Sequence, residues 1–342
     1  MKVLVTGGGG FLGSAICVQL AARGDEVRSF NRSATTAAAA GIEPRRGDIA
    51  NPGDVLAASA GVDAIVHSAG KVGAWGPARE YHDINVRGTD NVLAACAQHG
   101  IRKLVFTSSP SVVQRGSDIE GADESLPYPA HFASVYAQTK ALAEQRVLAA
   151  NGADLATVAL RPHFIWGPGD PNLLPRVLAR ARAGRLRLIG KADKRVDIVH
   201  VDDAARAHVL ALDKLHVGAP IAGKAYFISQ GEPITHARLF GAWLAAAGLP
   251  AETRRIPGWL AHTLAVALEG TWRALGVRGE PPLTRFIVEE FSTSHWFDIA
   301  AARRDLGYAP QVGFEEGIRR LAQHLEDNRS AGGQKRRARG LQ

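Results

Sequence analysis

The sequence is poor in cysteine and in long apolar runs, and these absences exclude several classes of protein. Its 342 residues include two cysteines, Cys17 and Cys96, and both fall in predicted helices. We expect core thiols rather than a disulfide or a metal pair, which fits a reducing cytoplasm. No uncharged apolar run reaches the roughly 18 residues that a membrane-spanning helix needs. We therefore predict a cytoplasmic protein without a membrane span.

The sequence also has no excess of acidic over basic residues. The formal net charge is +8, and five cationic residues, with no acid among them, follow Asp327. The rest of the chain is only mildly basic, which argues against nucleic-acid binding but suits anionic small molecules. No group of His, Cys and carboxylate residues shows metal-ligand spacing, so we predict no metal site. The composition, 46% hydrophobic and 22% charged, is that of a globular protein.

The most informative segment that is present covers residues 4–13, where a short apolar strand leads through glycines into a helix. Gly7 permits a tight turn, Gly10 lets the backbone approach a phosphate, and Gly13 lets the helix pack closely on the strand. The helix N-terminus then directs N–H groups and partial positive charge at an anion. The segment predicts a site for the pyrophosphate of a dinucleotide.

Strand and helix signals alternate through the first 160 residues, which predicts right-handed βαβ crossovers and a parallel sheet. We expect a Rossmann-type doubly wound α/β fold with a smaller C-terminal substrate-binding region. The predicted divisions are a dinucleotide-binding core at 1–165, a mainly substrate-binding region with some returns to the core at 166–327, and a disordered basic tail at 328–342. Later helices are predicted at Thr235–Ala247, Pro257–Leu275 and Phe314–Glu326.

The second predicted strand ends in Phe30-Asn31-Arg32-Ser33, with no acidic residue. An acid there would bind the ribose 2′-hydroxyl of NAD and would repel a 2′-phosphate. Arg32 can meet a 2′-phosphate as a planar charged fork, and Asn31 and Ser33 can add neutral donors. The segment favours NADP(H); the alternative is an ordinary surface arginine in an enzyme that uses both cofactors.

With Thr6, the glycines complete the pattern T-G-x-x-G-x-x-G, which resembles the extended short-chain dehydrogenase/reductases. That resemblance requires a Tyr-x-x-x-Lys pair further along the chain. Tyr136 and Lys140 supply it, in the context Tyr-Ala-x-Thr-Lys-x-x-x-Glu. Within these enzymes, the chain resembles the 3β-hydroxysteroid dehydrogenase-like branch.

The Tyr136 and Lys140 side chains are four residues apart on a predicted helix and therefore share a face. A protonated lysine beside the phenol is expected to lower the tyrosine pKa from about 10. Tyr136 can then give a proton to a carbonyl oxygen as hydride arrives, and Lys140 can hold the nicotinamide ribose. A serine at the end of the fifth strand can stabilise charge on the substrate oxygen. The family pattern favours Ser109, with Ser108 and Ser111 as alternatives.

Further cofactor contacts are implied by the resemblance. The Gly47-Asp48-Ile49 turn resembles the adenine-binding loop, and Ser68-Ala69-Gly70 lies where the adenosine portion passes. Asn85 matches the central helix motif, and Pro162 lies at the nicotinamide carboxamide in the family. The complete predicted cofactor-binding set is Gly7, Gly10, Phe11, Leu12, Gly13, Asn31, Arg32, Ser33, Asp48, Ile49, Ser68, Ala69, Gly70, Asn85, Tyr136, Lys140 and Pro162.

The resemblance also implies a substrate. It implies NADPH-dependent reduction of the 3-keto group of a 2-alkyl-3-oxoalkanoate, in long-chain olefin biosynthesis, beside a β-lactone synthetase and a decarboxylase. We expect a homo-oligomer. The segments that carry this resemblance are Phe30–Ser33, Gly73–Gly76, Gln145–Asn151, Arg185–Leu188, Gly279–Phe286 and His295–Trp296.

Two alkyl chains need an apolar groove, and one helix offers a candidate. The predicted helix Pro257–Leu275 carries a stripe of apolar residues. This stripe either packs in the core or forms a wall over the nicotinamide end of the cleft. A substrate carboxylate also needs a cation, which several arginines could provide. The stripe consists of Trp259, Leu260, Leu264, Leu268 and Trp272.

Three alternatives share parts of this pattern. A sugar-nucleotide epimerase or dehydratase would share the fold, but a dehydratase usually has acidic residues after the fifth strand, where this chain has Ser-Ser-Pro. A hydroxysteroid or dihydroflavonol reductase would share the cofactor and the catalytic residues. A non-catalytic NADP sensor would normally have lost Tyr136 or Lys140.

Overall fold

The computed structural model describes residues 1–33, 41–73 and 75–339, with side chains as far as residue 330. Ala74, within one of the segments that carry the family resemblance, lies outside the described residues. The side chains of the basic tail beyond residue 330 lie outside them as well. No helix of the described part is long and apolar enough to span a bilayer.

A seven-stranded parallel sheet forms the centre of the molecule, and smaller sheets lie in the C-terminal half. The order across the large sheet is β3-β2-β1-β4-β5-β7-β12. The strands of the described chain are β1 Lys2–Thr6, β2 Glu26–Asn31, β3 Ile42–Arg46, β4 Ala64–His67, β5 Lys103–Thr107, β6 Ile119–Ala122, β7 Ala156–Pro162, β8 Ile165–Trp166, β9 Leu188–Ile189, β10 Arg195–Val196, β11 Val199–His200, β12 Lys224–Ile228, β13 Ile234–Thr235, β14 Arg255–Ile256 and β15 His295–Phe297.

Helices cover both faces of the sheet and build most of the C-terminal region. They are α1 Phe11–Ala22, α2 Pro52–Ser59, α3 Ala78–Tyr81, α4 Gly88–His99, α5 Val135–Ala149, α6 Leu173–Arg182, α7 Val201–Lys214, α8 His236–Ala246, α9 Gly258–Ala274, α10 Arg285–Ser292 and α11 Phe314–Arg339. Two π-helical turns, His82–Arg87 and Ala302–Leu306, and a 3₁₀ turn, Pro110–Val113, complete the described elements.

The strand order reverses between β1 and β4, and this reversal positions the site. Thr6 and His67, the last residues of these strands, are register partners. In an open parallel sheet, ligands bind beyond the carboxyl ends of the strands at such a reversal. Separate apolar cores fill the two faces of the sheet, and a third lies in the C-terminal region. The predicted doubly wound α/β fold is confirmed.

The structure differs from the predicted elements where local patterns are weak. β3 was not predicted, because Pro44 and two arginines make it an exposed edge strand, the position where proline is tolerated. Helices α6, α7 and α10 were also missed. α11 extends to Arg339, beyond Glu326 and beyond the residue where composition predicts disorder. The Arg, Lys, Ala and Gln residues of that stretch have high helix propensity. The domain boundaries remain a prediction.

Candidate active site

The glycine loop between β1 and α1 has the shape of a phosphate cradle. Gly7 has φ +70°, and a Cβ there would lie 2.8 Å from the backbone of Ala69. A Cβ on Gly13 would lie 2.1 Å from the Gly7 oxygen. α1 begins at Phe11, and no described side chain caps it, so its first N–H groups remain available. These include the backbone amides of Phe11 and Leu12, which would be donors to a pyrophosphate if one bound in the loop.

The end of β2 brings positive charge beside this loop. The Asn31 side chain accepts a hydrogen bond from the Gly9 amide, so it braces the loop. Arg32 and Ser33 follow and are exposed. Arg46, which pairs with Asn31 in the sheet register, donates to the Arg32 carbonyl over 3.2 Å. The second guanidinium was missed from sequence, although the Arg-Arg pair directly before Gly47 was an available signal.

The loops after β3 and β4 enclose the opposite sides of the crevice. The Asp48 carboxylate accepts from the Ala50 amide over 2.9 Å, and Ile49 is buried against Gly88. The Ser68-Ala69-Gly70 run crosses directly over Gly7, and Thr6 holds it by accepting from the Ala69 amide over 3.1 Å. These loops therefore lie where an adenosine portion would leave the cradle.

Asn85 lies in the π-helical turn and supports the loop after β4. Its amide oxygen accepts from the Lys71 amide over 2.7 Å. Its amide nitrogen donates to the Lys71 carbonyl and to the Thr139 hydroxyl, each over 3.1 Å. The two bonds to Lys71 join the π-helical turn to this loop, and the bond to Thr139 joins the turn to α5. Asn85 therefore holds the loop in place, and its contact with the cofactor stays a prediction.

The helix α5 carries Tyr136 and Lys140 to the crevice. Ser134 caps it by accepting from the Ala137 amide over 3.1 Å. On the same face, Glu144 is fully buried and accepts from Arg161 Nε over 3.0 Å and from the Tyr128 hydroxyl over 2.7 Å. This buried ion pair fastens α5 to β7, whose last residue, Pro162, is also buried at the crevice.

Tyr136 and Ser109 come together at the end of β5. Burial raises the pKa of Tyr136, a side-chain hydrogen bond from Ser109 lowers it, and the nearby Glu290 carboxylate raises it. Ser109 accepts from the Ser111 hydroxyl over 2.9 Å, which leaves its own proton to point elsewhere. Ser108 is buried, and its hydroxyl has no partner among the described residues. Of the three serines, Ser109 is therefore the one beside the tyrosine.

The Lys140 amine is directed at the end of β5. It donates to the Thr107 carbonyl and lies 4.1 Å from the centre of the Phe106 ring. Burial lowers the pKa of Lys140 to about 7, against the opposing charge of Glu144. Burial of the Tyr136 phenol outweighs the hydrogen bond from Ser109, so the pKa of Tyr136 lies above its usual value. The predicted role of Lys140 at the nicotinamide ribose stays a prediction.

A cavity of about 960 Å³ opens beside Tyr136. The helix α9 forms part of its wall through Glu269, Trp272 and Arg273. The predicted stripe on α9 is only partly at the cavity wall: Trp272 lines the cavity, whereas Trp259 is 72% exposed and Leu264 is 46% exposed. The reason is that the small residues of this helix, with Glu269, turn towards the body of the protein.

Behind Tyr136 lies a buried polar cluster that sequence patterns did not indicate. His163, Glu290 and His295 have potential ligand atoms within 4.8 Å of one another. His295 donates through Nε2 to the Glu290 carbonyl over 2.6 Å, so its Nδ1 accepts from His163 Nε2 over 3.0 Å. Burial raises the pKa of the Glu290 carboxyl to about 7. His163 Nδ1 is buried without a partner among the described residues. The members of the cluster come from distant segments with no shared motif.

These features define a class of protein: a nucleotide-dependent oxidoreductase with a Rossmann sheet and a Ser-Tyr-Lys site. Residues 4–256 match the 3-beta hydroxysteroid dehydrogenase/isomerase family, and the chain belongs to that family. It is 54% identical over 325 residues to a 2-alkyl-3-oxoalkanoate reductase of Stenotrophomonas maltophilia, covering 94% of this chain and 98% of the relative. It is 47% identical over 330 residues to a Shewanella oneidensis protein of the same name, covering 94% and 85%.

Solved structures agree with the fold. The UDP-glucose 4-epimerase of Thermus thermophilus, in complex with NAD, superposes with a TM-score of 0.74 at 27% identity. The superposition covers 95% of this chain and 99% of the epimerase. The chain is therefore an NAD(P)-dependent oxidoreductase of the extended short-chain type.

Proposed function

We propose that the protein reduces the 3-keto group of a 2-alkyl-3-oxoalkanoate to a hydroxyl group with NADPH. The observation that carries this proposal is that Tyr136 lines a large cavity, with Ser109 beside its hydroxyl. Two relatives at about half identity, named 2-alkyl-3-oxoalkanoate reductases, support the substrate class. The product would be a 2-alkyl-3-hydroxyalkanoate, the substrate that a β-lactone-forming ligase needs before a decarboxylase acts.

NADPH is favoured over NADH by charge at the end of β2. No acidic residue stands between Glu26 and Glu43, so nothing in that stretch would repel a 2′-phosphate. Arg32 and Arg46 lie side by side at this end, and Asn31 is committed to the glycine loop. Two guanidinium groups can hold a phosphate through charge-assisted hydrogen bonds.

The residues around the carbonyl have distinct roles in the reduction. The bound cofactor supplies the hydride to the keto carbon. Tyr136 donates its phenolic proton to the keto oxygen, and its raised pKa keeps it protonated at neutral pH, as the reductive direction requires. Ser109 donates a hydrogen bond to the same oxygen as negative charge develops there. In the cofactor complex, the Lys140 amine would leave the Thr107 carbonyl and donate to the nicotinamide ribose.

The cavity beside Tyr136 suits an acidic substrate. Its wall contains three arginines, Arg273, Arg278 and Arg285, and two glutamates, Glu269 and Glu280. Glu269 is shared by two of them, with Arg285 Nε at 3.0 Å and Arg273 Nη2 at 3.4 Å from the same oxygen. The wall therefore has one more guanidinium group than it has carboxylates, and this excess positive charge is available to a substrate carboxylate.

The test measures NADPH oxidation with three classes of substrate in parallel: 2-alkyl-3-oxoalkanoates, ketosteroids and sugar nucleotides. We expect activity with the oxo acids, and its loss in Ser109→Ala. Ser108→Ala is the matched control, because the Ser108 hydroxyl is buried without a partner among the described side chains. Turnover of steroids or sugar nucleotides, but not of the oxo acids, would contradict the proposal.

A further inference from the structure

A second cavity, of about 450 Å³, lies on the other side of α10. Apolar side chains from four elements line it: Val177 of α6, Leu188 of β9, Phe240 of α8, and Ile287 and Phe291 of α10. A cavity of this size, with this lining, is of the kind that buries most of a small apolar ligand. Of its lining residues, Glu280 also borders the cavity beside Tyr136, and no other has been given a part in the reduction.

The helix α10 separates the two cavities. Ile287 and Phe291, one turn apart, face the second cavity, whereas Arg285 and Phe286 face the first. The Phe286 ring lies edge-on to Tyr136, with 6.4 Å between the ring centres. Glu280 lines both cavities, so they meet just before α10 begins. A ligand with two arms could therefore straddle this junction close to the catalytic tyrosine.

The charges of the second cavity lie at its rim. Glu280 pairs with Arg176 over 2.7 Å, and Arg180 donates to the Pro282 carbonyl. Arg255 donates to the Gly190 carbonyl over 3.5 Å. Such side chains keep their charged ends near solvent while their stems cover apolar surface. Apart from the buried His236 ring, the interior is apolar, which suits a hydrocarbon chain better than a nucleotide or a sugar.

We propose that the second cavity holds one alkyl arm of the substrate while the first holds the keto acid centre and the other arm. This inference rests on the proposed function. A 2-alkyl-3-oxoalkanoate is branched at C2, so its two chains diverge from the carbon next to the reacting carbonyl. Two cavities that share Glu280, one of them lined by Tyr136, match this branching, and the exposed residues of the α9 stripe are not needed.

Two variants change the second cavity in opposite directions. Ala237→Phe, on its α8 wall, fills it, and Ile287→Ala enlarges it. The measurement is kcat/KM for substrates in which each arm is lengthened separately. Ala237→Phe should lower the value for long forms of one arm about tenfold or more, and leave short forms within about twofold. Ile287→Ala should move the optimum for that same arm to longer chains.

Leu264→Phe, on the exposed face of α9, is the matched control and should change neither profile. Equal losses for short and long arms in Ala237→Phe, or no loss at all, would overturn the inference. A wild-type enzyme that reduces no 2-alkyl-3-oxoalkanoate would instead contradict the proposed function. In that case, calorimetric titration with palmitate still tests the second cavity. Ala237→Phe should weaken the binding of palmitate, and unchanged binding would overturn the inference.

Discussion

Helices α5 and α9 both border the cavity beside Tyr136, and both bury alanines, but they differ in their other side chains. α5 buries Lys140 and Glu144, whereas α9 leaves Trp259 and Leu264 in solvent. Each helix departs at these positions from the usual pattern of apolar side chains inside and charged side chains outside. The difference shows that α5 holds charged groups in place at a cost in stability. α9 contributes only a few inward-facing residues to the site.

The buried charges of α5 are tolerated because they have partners. Glu144 binds Arg161 and Tyr128, and Lys140 donates to a carbonyl and lies against an aromatic ring. On α9, Glu269 is also buried, but its partners Arg273 and Arg285 are exposed. The comparison therefore predicts large effects from changes on α5 and small effects from changes on the outer face of α9.

The largest effect is expected from Tyr136→Phe, which removes only the transferable proton. We expect kcat to fall by about 10²–10⁴-fold, while the affinity for NADPH is retained. Single-turnover kinetics and fluorescence titration of the cofactor measure the two quantities. Tyr308→Phe removes a hydroxyl that is bonded to the distant Ser229 carbonyl and should leave kcat unchanged. A variant that keeps most of its kcat would show that another group is the acid.

Glu144→Gln should destabilise the protein strongly, since it leaves the buried Arg161 without a counter-charge. Loss of one partner of a buried ion pair costs about 3–5 kcal/mol. The free energy of unfolding in urea gives the loss. Glu269→Gln, the corresponding change on α9, should cost less, because exposed arginines regain water. Similar losses for the two variants would break the comparison between the helices.

Arg32→Ala should weaken NADPH selectively. Charge-assisted hydrogen bonds are worth about 1.5–3 kcal/mol, so the KM for NADPH should rise about tenfold or more while the KM for NADH stays constant. Arg46→Ala should act in the same direction. Arg45→Ala is the control, because Arg45 is paired with Glu43 on the same strand. A similar rise in the KM values for NADPH and NADH would show that Arg32 does not recognise the 2′-phosphate.

The smallest effect is expected on the outer face of α9. Leu264→Lys should change the free energy of unfolding by no more than about 0.5 kcal/mol, as is usual for exposed sites. Ala265→Lys, one residue on and fully buried, should be strongly destabilising. Equal stability losses in urea unfolding would mean that Leu264 packs against the protein, contrary to its exposure.

Much of the fold and part of the site followed from the sequence alone. The alternation of strands and helices predicted the parallel sheet, and the glycine spacing predicted the cradle at the end of β1. The four-residue spacing of Tyr136 and Lys140 placed both on one face of α5. These features depend on local geometry, in which the period of a helix or the conformational freedom of a glycine acts over a few residues.

The tertiary structure decided everything that depends on which segments meet. It placed Ser109, rather than Ser108 or Ser111, beside the tyrosine, and it brought Arg46 to Arg32 through strand pairing. It turned the N-terminal part of the α9 stripe outward and set α10 between two cavities. Glu290 raises the pKa of Tyr136 although no motif joins them. Such contacts arise from long-range packing, and no spacing along the chain specifies which faces will be buried together.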